Sequence, residues 1–136
     1  MADTLLLEVV APERSLVEEQ VSEVQVPALD GFIGVLPGHA PLLSELKPGG
    51  VLTYRAAGGE KTLAVYGGFV EVLPDRVRVL ADAAERKEEI DLEDARRRLR
   101  EAMAKLGEMH GEAIDPAVAL AEALRAQARV EAAEKK

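Results

Sequence analysis

The sequence predicts a β-then-α chain. An antiparallel β-sandwich or flattened barrel of about ten strands occupies residues 1–86, and an antiparallel two-helix hairpin occupies residues 87–136. Three observations carry this reading. Short apolar runs recur about every ten residues up to Arg86, separated by turns bearing Gly or Pro. Beyond Arg86 the apolar spacing changes to steps of three and four. Gly107 and Gly111 bracket a break that divides the second part in two.

In order, Leu5–Val10 is a short apolar run, and Val21–Val26 mixes valine with polar residues as a half-buried strand does. Val51–Tyr54 and Thr62–Tyr66 flank Ala57-Gly58-Gly59, a hairpin signal. Phe69–Leu73 and Val77–Leu80 flank a second one, Pro74-Asp75. Leu92, Ala95, Leu99, Met103 and Leu106 then form the stripe of a first helix capped by Asp91, with Glu93 and Asp94 favoured by its dipole. Asp115-Pro116 starts a second helix, with Leu120, Leu124 and Ala128 as its stripe running towards Val130. Both helices are rich in alanine, so the hairpin buries little area per residue and is expected to detach readily.

The 136 residues are 48% hydrophobic but only 3% aromatic, so the core must come from aliphatic side chains. A net charge of −8 disfavours a nucleic-acid partner. The absence of cysteine removes thiolate chemistry and fits a reducing compartment. No window supplies the roughly 18 apolar residues of a spanning helix, and the N-terminus does not read as a signal peptide, so a soluble, unexported chain is expected.

Candidates for catalysis are few. His39 and His110 lie in different halves and lack ligand spacing, so no metal site is expected. Ser15, Ser22 and Ser44 sit in no nucleophile elbow, and Ser44 near His39 has no orienting carboxylate. No phosphate-cradling glycine loop is present. His39 reads as a turn residue hydrogen-bonded to the local backbone. Arg96-Arg97-Arg98 with Arg100 reads as a solvated face or, alternatively, as a surface for an acidic partner. Arg125 and Arg129, four apart, share a face that suits an anion or carboxylate patch, or simply solubility.

One stretch stands out: GFIGVLPGHAPLL, Gly31 to Leu43, is apolar yet crowded with turn residues. Together with Leu46-Lys47-Pro48-Gly49, Tyr66-Gly67-Gly68-Phe69-Val70-Glu71-Val72 and Val79-Leu80-Ala81-Asp82-Ala83-Ala84-Glu85-Arg86, it closely resembles the epsilon subunit family of bacterial F-type ATP synthases. The resemblance runs through the chain in order, including the two-helix tail.

That resemblance implies a non-catalytic central-rotor subunit, which couples ion-driven c-ring rotation to ATP synthesis and carries no catalytic residue. It implies that the 1–86 domain binds the gamma subunit and the c ring. The loop Gly31-Phe32-Ile33-Gly34 would meet the c ring, with the turn Leu36-Pro37-Gly38-His39 on the same underside. The 87–136 domain would inhibit ATP hydrolysis by rising into the alpha/beta hexamer, where Arg125 and Arg129 would face acidic segments of beta. The protein would be peripheral, on the cytoplasmic face of a bacterial plasma membrane (or, alternatively, plastid-encoded), and would touch the membrane only through the c ring. Whether the coupling ion is a proton or sodium is decided in the c ring.

Some members of that family bind ATP on the folded hairpin. The matching positions here are Ile90, Asp91, Ala95, Arg125 and Arg129, with Glu85 and a substituting Arg97 completing the candidate set Glu85, Ile90, Asp91, Arg97, Arg125 and Arg129, but Asp94 stands where the motif has arginine. An acid there repels phosphate, and of the nearby arginines the helical rotation brings Arg97 closer to its direction than Arg96. ATP is therefore expected only as a weak regulatory ligand, with no tightly held cofactor. A free-standing ATP-binding sensor is the alternative function. A sugar-binding module is a poor third, with only Phe32, Phe69, Tyr54 and Tyr66 as aromatics.

Overall fold

The computed structural model describes residues 3–108 and 115–136. His110 and Gly111, one candidate ligand and one flank of the expected break, lie outside the described residues. Ten strands are present: β1 Leu5–Ala11, β2 Arg14–Val21, β3 Glu23–Ala28, β4 Gly31–Val35, β5 Leu42–Glu45, β6 Gly50–Ala56, β7 Gly59–Val65, β8 Gly68–Leu73, β9 Arg76–Ala81 and β10 Ala84–Arg86. A 3₁₀ turn at Lys87–Glu89 leads to α1, Leu92–Gly107, and α2 spans Pro116–Glu134.

The strands form two five-stranded sheets, β2-β1-β9-β8-β5 and β10-β7-β6-β3-β4. Alternation along each strand turns Leu5, Leu7 and Val9 of β1, Val70 and Val72 of β8, and Val77 and Val79 of β9 inwards. They meet Val24, Val26, Leu52, Leu63 and Val65 from the other sheet in one aliphatic core. The hairpins at Ala57-Gly58 and Pro74-Asp75 pair β6 with β7 and β8 with β9 as the sequence predicts.

Three features depart from the sequence reading. The expected strand Val21–Val26 is two strands, because the chain crosses between sheets at Ser22, whose N–H donates to the Arg55 carbonyl at 2.8 Å. β2 carries no clean alternation because a bulge opposite Val9 and Val10 leaves Leu16 unpaired, so Leu16 and Val17 are both buried. The pairing of β1 with β9 is parallel in an otherwise antiparallel fold.

The helices begin where their caps are: the Asp91 carboxylate accepts from the Asp94 N–H, and Asp115 accepts from the Ala117 N–H ahead of Pro116. They run antiparallel, since Arg96 near the start of α1 pairs with Glu134 at the end of α2 (2.8 Å), and Lys105 pairs with Glu122 (3.7 Å). The buried positions are mostly small: Ala95 and Ala102 on α1, and Ala119, Ala123, Ala128, Val130 and Ala132 on α2. Met103 and Leu120, expected in the stripes, are about half exposed. Alanine wins those positions because α2 lies very close to the sandwich, the backbone at Leu124 and Arg125 abutting Gly49. The seam itself is Ala128 and Ala132 against Ala64 and Tyr66, with Val51, Ala83 and Ile90 around them. An alanine methyl contributes about 0.8 kcal/mol against about 1.5–3 for a buried Val or Leu. This seam is far weaker than the sandwich core.

Candidate functional site

β4 and β5 are edge strands of opposite sheets, and the sheets meet where the end of β3 and the turn into β4 touch the end of β5. The Leu29 N–H donates to the Glu45 carbonyl at 2.9 Å, and Ala28 bridges to Leu46. Large apolar side chains crowd this edge in the open: Phe32 and Leu36 are 60% exposed and Leu43 71%, with Leu29, Leu42 and Phe69 beside them. The Lys47 ammonium lies 5.7 Å from the centre of the Phe32 ring.

Gly31–Gly34, expected as a loop, is most of strand β4, paired to β3 from Ala28↔Gly31 to Val24↔Val35. Glycine at both Gly31 and Gly34 hides the strand in the sequence. At Gly31 it is needed, because φ is 137° where the chain leaves the Leu29-Asp30 turn. Strand geometry also separates neighbours: Phe32 faces solvent, whereas Ile33 packs against the core. Leu36-Pro37-Gly38-His39 lies beyond the far end of β4, about 17 Å along the strand from Gly31, where the Gly38 N–H donates to the Pro74 carbonyl at 2.7 Å. The surface is thus an edge rather than a single tip. The His39 Nδ1–H donates to the Ala40 carbonyl at 2.7 Å, as expected of a turn residue.

The second feature is a cleft of about 740 Å³ between the hairpin and the sandwich, lined by Tyr66, Glu85, Arg97, Arg98, Arg125 and Arg129 among others. Of the six residues expected around a nucleotide, it gathers Glu85, Arg97, Arg125 and Arg129. Asp91 instead caps α1, and Ile90 packs into the alanine seam. The arginines there already have partners. Arg129 Nε donates to Glu85 at 3.0 Å and its Nη1 to Asp94 at 2.8 Å, with the side chain only 18% exposed. Arg97 pairs with Asp94 and Glu101, and Arg98 with Asp94 at 3.1 Å. Arg125 lies over the Tyr66 ring at 5.1 Å, and the Tyr66 hydroxyl donates to Glu85 at 2.6 Å.

These contacts shift the acids and the phenol. Hydrogen bonds from Arg129 and then Arg97 hold the Asp94 carboxyl down to about 2. Burial, with Glu85 alongside, pushes the Tyr66 hydroxyl well above the usual phenol range. Asp94 thus does more than repel an anion, because it also occupies the arginine an anion would need. Tyr66 and Asp94 are linked through Glu85 and Arg129, a connection the sequence reading did not make. The available signal was the acid at position 94 itself.

A separate clasp ties the inter-domain linker to the sandwich. Both Arg14 Nη groups donate to Glu89, at 2.7 and 2.8 Å, and Arg86 donates through Nε and Nη2 to the Leu16 carbonyl. The Arg14 bonds and the Arg86 N–H hold the Glu89 carboxyl down to about 2.

Comparison with known proteins fits this architecture. The family model described as "ATP synthase, Delta/Epsilon chain, beta-sandwich domain" matches residues 4–87. The ATP synthase epsilon chain of Solibacter usitatus is 56% identical over 137 residues, spanning all of both chains. That of Moorella thermoacetica is 44% identical over 96% of each. Among solved structures, a chain of the Euglena gracilis mitochondrial ATP synthase OSCP/F1/c-ring assembly superposes with a TM-score of 0.80 at 25% identity, covering 94% of this chain and 80% of that one. A central stalk/c-ring chain of the Tetrahymena thermophila enzyme shares the fold, with a TM-score of 0.57. The sandwich with its two-helix tail, matched along its whole length, belongs to the ATP synthase epsilon chain family.

Proposed function

We propose that this non-catalytic stalk subunit works as two parts, a 1–86 sandwich that joins the rotor and an 87–136 hairpin that restrains ATP hydrolysis. The observation that carries the first part is the apolar β4/β5 edge, because isolated domains rarely expose so contiguous a patch without a partner. Gly31 to Gly34 and Leu36 to His39 line that edge and are the proposed contacts with the c ring. α2 covers the outer face of the other sheet, leaving the outer face of β2-β1-β9-β8-β5 for gamma. There Val10, Leu80 and Phe69 stand in one row across three strands. Through the c ring the protein sits at the cytoplasmic face of a bacterial plasma membrane and takes part in ion transport. Among the described residues no helix is long and apolar enough to cross a membrane.

Phe32→Asp tests the edge. The variant subunit melts like the parent, because Phe32 faces solvent, but its assembly with the c ring is weakened by tenfold or more, on the order of the 1–2 kcal/mol or more that an interface anchor carries. Ile33→Asp is not an equivalent probe, since Ile33 packs against the core and the variant is destabilised. Normal assembly of Phe32→Asp would remove the edge from the c-ring interface.

The hairpin restrains hydrolysis by leaving the sandwich and presenting Arg125 and Arg129 to acidic segments of beta. The alternative, a free-standing ATP sensor, is disfavoured by the cleft, in which Asp94 and Glu85 already hold Arg129. Calorimetric titration of the free subunit with millimolar ATP is expected to give little or no heat. Micromolar affinity would revive the sensor reading.

A further inference from the structure

We propose that Arg129 is the keystone of an ionic latch that holds the hairpin on the sandwich by pairing with Glu85 of β10, while Asp94 of α1 orients the same guanidinium from within the hairpin. Arg129 itself belongs to α2, so a single side chain ties three elements. The Tyr66 hydroxyl braces the same Glu85 oxygen from the loop after β7. The apolar seam beside it is mostly alanine methyls around Tyr66, with Val51 and Ile90 at its margin, so a specific ionic contact weighs heavily in docking. Breaking it separates Glu85 from Arg129, two charged side chains only 27% and 18% exposed.

The latch also decides which partner Arg129 serves. While the hairpin is docked, both of its pairing directions are taken by this chain's own carboxylates. The side of the guanidinium that faces Glu85 becomes available to another acidic surface only when α2 leaves the sandwich. Docking and the engagement of an acidic partner therefore compete for one charge, which makes the two hairpin states exclusive. This consequence rests on the inhibitory role proposed above, whereas the latch does not. The third partner of Asp94 differs in kind: Arg98 lies four residues along the same helix and joins nothing across elements.

The full-length chain has no cysteine, so paired spin labels at Ala57→Cys on the β6–β7 turn and Leu120→Cys on the exposed face of α2 report hairpin position directly. The parent should give one narrow distance. Arg129→Gln should raise the population of longer distances about five- to thirtyfold, the factor that 1–2 kcal/mol produces. Asp94→Asn should do the same, while Arg98→Gln should leave the distribution unchanged. Added salt should open the parent and have no further effect on Arg129→Gln. Unchanged distances in both Arg129→Gln and Asp94→Asn, or equal opening by Arg98→Gln, would overturn the latch. ATP hydrolysis by complexes carrying Asp94→Asn then tests the separate claim. An opened hairpin with unaltered hydrolysis would leave the latch standing and refute the inhibitory role.

Discussion

A chain ending at Glu89 is expected to fold as the sandwich alone, and a synthase assembled with it is expected to make ATP while hydrolysing ATP severalfold faster than a synthase carrying the 136-residue chain. Every strand lies before that cut, and the two sheets pair without help from α1 or α2. The cut also spares the clasp, since Arg14, Arg86 and Glu89 are all retained. What is lost is the alanine seam and the latch, so newly exposed apolar surface is confined to Val51, Ala64, Tyr66 and their surroundings. The proposed c-ring edge and gamma face remain, which is why synthesis survives. Hydrolysis by purified complexes at matched subunit occupancy is the deciding measurement. Equal rates with and without the tail would make the hairpin structural only. Within this test Arg125→Ala is the cleaner point variant, because it leaves the latch intact and should reproduce part of the rise. Arg129→Ala both opens the hairpin and removes a contact for beta.

Two glycine substitutions should have sharply different results. Gly68 adopts φ 117°, and a Cβ there would lie 2.0 Å from the Leu80 carbonyl oxygen, which is backbone of the neighbouring strand and cannot step aside. Gly68→Ala is expected to cost about 3 kcal/mol or more, combining left-handed strain with overpacking. That is a large share of a typical domain's 5–15 kcal/mol, and the melting transition of the whole sandwich should fall accordingly. At Gly49 the obstruction is α2 itself, with a Cβ placed 2.4 Å from the Leu124 carbonyl oxygen. Gly49→Ala should therefore push the hairpin away while the sandwich melts as before, and amide exchange in α2 should speed up. If Gly49→Ala destabilised the sandwich as much as Gly68→Ala, hairpin and sandwich would be one cooperative unit and docking would not be separable from folding.

The parts of the fold that announce themselves locally were legible in the sequence. The Gly-Gly and Pro-Asp hairpins, both helix caps and the change of period after Arg86 depend on neighbours a few residues apart. The parts that escaped depend on distant partners. β2 was hidden by a bulge whose cause is its pairing with β1, β4 was hidden by glycines that an edge strand tolerates, and the parallel β1/β9 pair has no local signature at all. In the helices, Leu120 and Met103 looked like core because they are larger and more apolar than alanine. On α2, the close approach to Gly49 reversed that order for Leu120. The cleft followed the same rule: Arg125 and Arg129 were visible as a pair, but Glu85 lies 44 residues from Arg129 and no spacing connects them.

The clasp at Arg14 and Glu89 has a mechanical consequence. It ties Lys87–Glu89 to the sandwich, so a tail that leaves as proposed would swing about Ile90 and Asp91. From that pivot α1 gives a lever of about 24 Å and α2 a further 28 Å if the hairpin straightens, at 1.5 Å per residue. A fulcrum set so close to the sandwich means that small changes at two residues steer the far end through a wide arc.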